Sequence, residues 1–286
     1  MKSVIILSLL TTLLTSCDEK NLYAGRVASS SEASAAETSE TAAADATVNE
    51  DQNEVAEDLS EEALTITQEL CACSAMFDAV KASFDVACVD GKATVALADA
   101  LENPYDGTGV PNINLLQSDD VNGVSQFMVI TSFTVPTDPD GVLAMVNAMN
   151  EADFTEGNAT ITQTELTSTP GDNSPLTLTT EVEFGLDVSV GIITVNDVRH
   201  LTKEFMKFGS EGNIQGSKVY LTEGAPDNED NIIADQASFW IPTETGTTII
   251  TVSQQHAENR NRHETAEETF LAVAQRTLVD TFGLFN

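Results

Sequence analysis

The sequence predicts an α+β fold, an antiparallel sheet of about six or seven strands packed on a long C-terminal helix, with a helical element ahead of the sheet. Three observations lead there. Apolar residues recur at helical intervals between Ser60 and Leu101, in a stretch rich in Ala and Leu. From Ser125 onward the period shifts to two, with clear turn signals between the runs. From Thr265 to the end the apolar residues recur every four positions. With 286 residues, 41% of them hydrophobic, the chain can build one substantial core.

The first residues read as a segment for export. Lys2 gives a positive start, and Val4–Leu14 is apolar but too short to span a bilayer. The ending Leu14-Thr15-Ser16-Cys17 resembles a bacterial lipobox. That resemblance implies cleavage of residues 1–16 and acylation of Cys17, which anchors the chain in a membrane of the cell envelope facing the periplasm or the exterior. Asp18 follows and is similar to an inner-membrane retention signal of enteric bacteria, a rule that does not hold in all bacteria, so the choice of membrane stays open.

Residues 17–59 read as a lipid-anchored acidic tether. Positions 18–58 hold eleven acidic residues against Lys20 and Arg26, with Tyr23 as the one aromatic. Such a composition cannot bury enough apolar surface to offset ordering entropy. The whole chain has 12 Lys+Arg against 46 Asp+Glu, a formal charge of −34. This excludes nucleic acid as a partner, because phosphate binding needs clustered Lys and Arg.

Residues 60–104 form the helical element with cysteines. Ser60 is an N-cap, with Glu61 and Glu62 in the first turn and Leu59 and Leu64 at staple positions. Leu64, Leu70, Ala75, Phe77, Val80 and Phe84 continue a helix into the eighties, either unbroken or interrupted around Cys71–Ser74. Asp90-Gly91 then allows two readings, a helix end followed by a second helix from about Ala93, or a tight hairpin between short strands.

Export places Cys71, Cys73 and Cys88 in an oxidising compartment, where a disulfide forms. The candidate pair is Cys73 with Cys88, with Cys71 as the alternative partner. An unbroken helix would hold Cys73 and Cys88 roughly 22 Å apart, too far to bridge, so either the helix breaks and folds back or one thiol pairs elsewhere.

Residues 105–286 form the sheet and its helix. Phe127–Val135 is a strand that stops at Pro136. Thr137 or Asp138 caps a short helix with Pro139 near its first position. Ala159–Thr169 is the next strand, ended by Pro170-Gly171-Asp172-Asn173. A long run from Leu176 to about Val195 can bend at Gly185 or Gly191. Strands follow at Ile214–Thr222, Ile232–Ile241 and Thr247–Gln254. Val198–Phe208 stays open between helix and strand, because Val198, Leu201, Phe205 and Phe208 fit helical spacing inside a run of strands. Arg199, Lys203 and Lys207 share one face in either case, a surface for balancing local acid or for an anionic group. Thr265 and Glu268 have capping-box spacing, and Ala266, Phe270, Ala274, Leu278 and Phe282 form the stripe of the last helix.

The order of these elements over about residues 125–286 resembles the helix-grip arrangement of START-like domains. There a curved sheet wraps the last helix, and the space between them can hold a lipid or other apolar molecule. If Val198–Phe208 is a helix, the order is more similar to PsbP/Mog1-like domains. No functional residue carries over from either family.

No Gly-x-Ser-x-Gly elbow, His-Glu-x-x-His, P-loop or Gly-x-Gly-x-x-Gly occurs, so no catalytic residue, cofactor or metal ligand can be named. His256 and His263, and the acidic turn Asp227–Asn231, read as solvated groups. The first functional reading is therefore a non-enzymatic envelope lipoprotein that acts as an interaction or structural module with an envelope protein partner. The alternative is a START-like binder or carrier of an apolar small molecule, with Phe239, Ile241, Ile250, Val252 and Phe270 lining its cavity. A third is an enzyme with a cavity site that lacks a signature.

Overall fold

A computed structural model describes residues 54–56, 59–73, 87–121, 124–149, 154–156, 159–171, 176–190, 193–209, 212–222 and 235–257, and the isolated positions 271, 274, 275, 278, 279, 282 and 283. The segments that carry Cys17, Phe270, His263 and the turn Asp227–Asn231 lie outside these residues.

Helix α1 spans Glu61–Ala72. The Ser60 hydroxyl accepts from the Ala63 amide at 3.2 Å, and Glu61 and Glu62 fill the first turn, where the helix dipole favours acid. The helix closes at Cys73, whose amide donates to the Leu70 carbonyl. The chain returns as a small hairpin, β1 (Cys88–Val89) against β2 (Lys92–Ala93). Asp90 and Gly91 both hold positive φ, at 51° and 75°, as a two-residue turn with Gly at its second position requires. Helix α2 (Val95–Glu102) follows, capped by the Thr94 side chain. Both readings of Asp90-Gly91 therefore hold in part, with a hairpin first and a helix immediately after. Glu54–Ala56, which composition assigns to the tether, run beside this hairpin. The Ala56 amide donates to the Ala93 carbonyl at 3.0 Å and the Val95 amide to the Glu54 carbonyl at 2.8 Å.

Among the described residues the main sheet has nine strands, all antiparallel: β3 (Ile113–Val121), β4 (Val124–Val135), β5 (Phe154–Glu156), β6 (Ala159–Pro170), β7 (Leu176–Val190), β8 (Ile193–Phe208), β9 (Ile214–Leu221), β10 (Asp235–Thr243) and β11 (Gly246–Ala257). Their order is β3-β4-β11-β10-β9-β8-β7-β6-β5. Eight are long and β5 has three residues. The count exceeds six or seven because β3 and β5 carry no clear strand signal. β3 reads INLLQSDDV, poor in β-branched residues. Val198–Phe208 is strand, the second part of β8. Its apolar residues mimic helical spacing because they divide between two buried faces, Leu201 and Phe205 on one, Met206 and Phe208 on the other. Helix α3 (Pro139–Met149) leaves β4, with the Gly141 amide donating to Asp138 at 2.7 Å as its cap. Gly246 sits with its α-carbon against the Val135 carbonyl, so any side chain there would strike backbone.

The sheet is covered on both faces. The first face presents Met128, Ile130, Phe239, Ile241, Ile250 and Val252 to Leu70, Leu97 and Ala100 of α1 and α2. Disulfide Cys71–Cys88 lies in this cluster, with a Cα separation of 5.7 Å. The bridge therefore uses Cys71, the alternative partner, rather than Cys73. Cys71 is buried in the last turn of α1, whereas Cys73 is the cap residue beyond it. The second face presents Phe133, Val135, Trp240, Ile249 and Phe205 to Val142 of α3, Tyr105 and Leu278. The described C-terminal positions from Leu271 to Gly283 are helical; the rest of the expected terminal helix lies outside the described residues.

Candidate functional site

The site is built on the second face. Alternation along four adjacent strands places Ser217 (β9), Ser238 (β10), Thr251 (β11) and Thr131 (β4) directly opposite one another. Ser238 and Thr251 share a hydrogen bond of 2.7 Å between their hydroxyls. Ser217 and Ser238 are buried. On one side of this row lie Trp240, Ile249 and Phe133, which pack with Leu278 and, more loosely, Phe282. On the other side lie Val129 and Leu115, which pack with Leu271 and Ala274. The helical C-terminal positions thus touch the sheet in two apolar contacts, and the row of short hydroxyl side chains runs between them. Serine and threonine fill far less volume than the Trp and Phe beside them, so the floor is lowest and most polar midway along the helix contact.

The rim is fixed by charge and ring contacts. The Lys207 ammonium reaches Asp140 of α3 at 3.2 Å, and the Gln215 amide donates to the same carboxylate at 2.7 Å. These bonds, the Gln215 amide first and then Lys207, hold the Asp140 carboxyl below the usual carboxylate range. Tyr105 meets the Phe282 ring edge-on at 5.1 Å. Gly107 lies under Phe282, with φ of 93° and no room for a Cβ.

Phe205 of β8 stands opposite Ser217 at the end of this row, and Lys203 lies next to it on the same face, opposite Val219. Lys203 alternates with Leu201 and Phe205 and is only 7% exposed. The register sets Thr180 of β7 and Val219 of β9 opposite it. Burial pushes its ammonium down to about 8.

A second buried lysine marks the opposite face. Lys218 faces Glu204 across the β8–β9 ladder, and the ion pair is 2.7 Å long. The Tyr220 hydroxyl donates to the same carboxylate at 2.9 Å. Burial raises the Tyr220 pKa, and the bond to Glu204 raises it further.

The residues expected to line a cavity fall on the first face instead. Phe239, Ile241, Ile250 and Val252 come together there, each 2% exposed or less, in the core under α1 and α2. They face away from Leu278 and Phe282. The strand pattern could place them on one face but not say which cover that face received. Phe270 lies outside the described residues. Of the cationic trio, Lys203 is buried, Lys207 is on the rim and Arg199 sits in β8 opposite Phe184. His256 lies within β11, in register with Gln126 of β4. Among the described residues no three His, Cys, Asp or Glu side chains gather as a metal site. Sequence reading missed the hydroxyl row, whose one signal is a Ser or Thr at alternating positions inside strongly apolar strands.

No family model and no curated protein matches the chain. Among solved structures it is similar to the human StarD13 (DLC2) lipid transfer and protein localization domain, with a TM-score of 0.39 and 9% identity over 61% of this chain and 86% of that one. It is also similar to a STAR-related lipid transfer protein from Xanthomonas axonopodis, at a TM-score of 0.34 and 13% identity over 59% and 98% of the two chains. Human StAR-related lipid transfer protein 5 gives 0.35 and 10%, over 60% and 87%. At these scores the likeness assigns neither a ligand nor a residue role to this chain.

Proposed function

We propose that this chain is a non-enzymatic bacterial envelope lipoprotein, anchored through Cys17, whose folded part binds an apolar or amphipathic small molecule between the second face and the C-terminal helix. The observation that supports binding is the low hydroxyl floor between two apolar contacts. A sheet face meant only as core would carry branched or aromatic residues there, as the first face does with Phe239 and Ile250. Apolar walls with a few placed polar groups are the usual make-up of a small-molecule site. The anchor rests on the lipobox resemblance of Leu14–Cys17.

The deciding experiment is native mass spectrometry of the full chain carrying Cys17→Ala, exported to a periplasm and purified without detergent. A co-purifying mass that organic extraction removes supports the binding reading and identifies the molecule. The bare mass, lowered by two hydrogens for the disulfide, turns the assignment to a tethered interaction module. The anchor is tested separately. The wild-type chain partitions with membranes and the Cys17→Ala chain does not.

A further inference from the structure

We propose that the site on the second face selects a neutral amphiphile whose hydrogen-bonding group, a hydroxyl or a carbonyl, sits between two apolar limbs. The inference rests on the binding reading above and names the chemistry of its ligand. Three observations carry it. Thr131 and Thr251 keep partial exposure in the middle of their strands, whereas Val129, Phe133 and Ile249 on the same face are 5% exposed or less. The contact between sheet and helix is therefore closed on either side of the hydroxyl row and open over it. The helix repeats the pattern. Leu271, Gln275, Leu278 and Phe282 share one face by their spacing, and Gln275 is partly buried. Leu271 to Leu278 covers about 10 Å of helix and Val129 to Phe133 about 13 Å of strand, so Gln275 crosses near the row. The row also has bonding capacity left. Two hydroxyls hold two donors, and the bond between Ser238 and Thr251 uses one. Ser217 is 6% exposed, and among the described residues nothing bonds its hydroxyl. Hydroxyls and an amide can satisfy a neutral polar group, whereas an ionised group buried against them would lose its hydration without gaining a counter-charge. Apolar contacts flank the row on both sides. A ligand with its polar group at one end would leave one of them unfilled, so the group lies mid-chain.

The test is a titration of the full Cys17→Ala chain with pentadecan-8-one, pentadecan-8-ol, pentadecan-1-ol and pentadecanoate. The reporter is the fluorescence of Trp240, the single tryptophan, which lies on the second face two residues from Ser238. At least one of the two mid-chain probes should bind about tenfold more tightly than pentadecan-1-ol and pentadecanoate. The double variant Ser238→Ala/Thr251→Val should abolish that preference, and so should Gln275→Met. Thr251→Ser keeps the hydroxyl and should retain the preference, which separates lost bonding from lost fold. Lys207→Met, on the rim, should retain it too. Equal affinity for all four probes, or tighter binding of either end-group probe, overturns this inference while leaving the binding reading intact. So does a preference that survives the double variant or Gln275→Met. Failure of all four probes to bind overturns both.

Discussion

Ser238 and Phe239 are neighbours on β10, and they face different worlds. Phe239 is fully buried, with its ring edge-on to Phe208 at 5.9 Å, beneath α1 and α2, of which α1 is tied to the small hairpin by a disulfide. Ser238 joins a hydroxyl row beneath α3 and the C-terminal helical positions. One face carries large, interlocked side chains. The other leaves its centre short and polar. The difference teaches that a strand buried on both sides still divides its labour, with one face holding the fold and the other left adaptable.

The sharpest way to break that comparison is truncation on each side of β10. Phe239→Ala should cost about 3–5 kcal/mol, because it opens a cavity in close-packed core. Ser238→Ala should cost about 1 kcal/mol, the net worth of one hydrogen bond with Thr251. Urea unfolding of the two variants decides it, and equal losses would refute the division. Next is the ion pair of the first face. Glu204→Gln leaves the Lys218 ammonium buried without its carboxylate and should cost about 3 kcal/mol. A loss like that of an exposed pair would show that water reaches the site.

The disulfide comes third. Cys71 and Cys88 are 17 residues apart, and removing the bridge in a Cys71→Ala/Cys88→Ala chain should cost up to about 3 kcal/mol through the unfolded state. Trp240 fluorescence should change little before global unfolding, since the bridge lies on the other face. The last test is of pH dependence. The folded pKa of Lys203, about 8, lies below the ordinary value of 10.5. Between those values the unfolded chain binds more protons, so Lys203 makes stability rise with pH from about 8 to 10.5. Tyr220 acts in the opposite sense above its ordinary value of 10.0, because its folded pKa is raised. The difference between wild type and Lys203→Met isolates the lysine, and a flat difference over that range would refute its burial as a cation.

Much of the fold was legible. Ser60, Asp138 and Pro139 marked helix starts through local chemistry that tertiary context did not override. β4, β6, β9 and β11 showed themselves through alternation and turn residues. β3 did not, because an edge strand with one partner needs fewer β-branched residues to hold its place. Val198–Phe208 hid its period because both of its faces are covered. The site was barely legible for a related reason. Alternation says which residues share a face, but the choice between faces depends on which helix lands on which side. That choice is made by contacts distant in sequence, such as Tyr105 with Phe282. Lys203 and Lys218 look alike in the sequence, and only the register tells them apart.

The pairing of β4 with β11 has a consequence in time. Val135 meets Thr247, so the sheet is joined across more than a hundred residues of intervening chain. Bringing such distant segments together carries a large loop-closure entropy, and proteins dominated by such pairings fold in roughly milliseconds to seconds. The N-terminal helices wait as well, because Ile250 and Val252, against which they pack, belong to β11. A chain made from its N-terminus therefore stays unfinished until this late strand arrives. Until then Met128 and Ile130 lie uncovered on β4, and a chaperone that shields apolar strands has its period of greatest use.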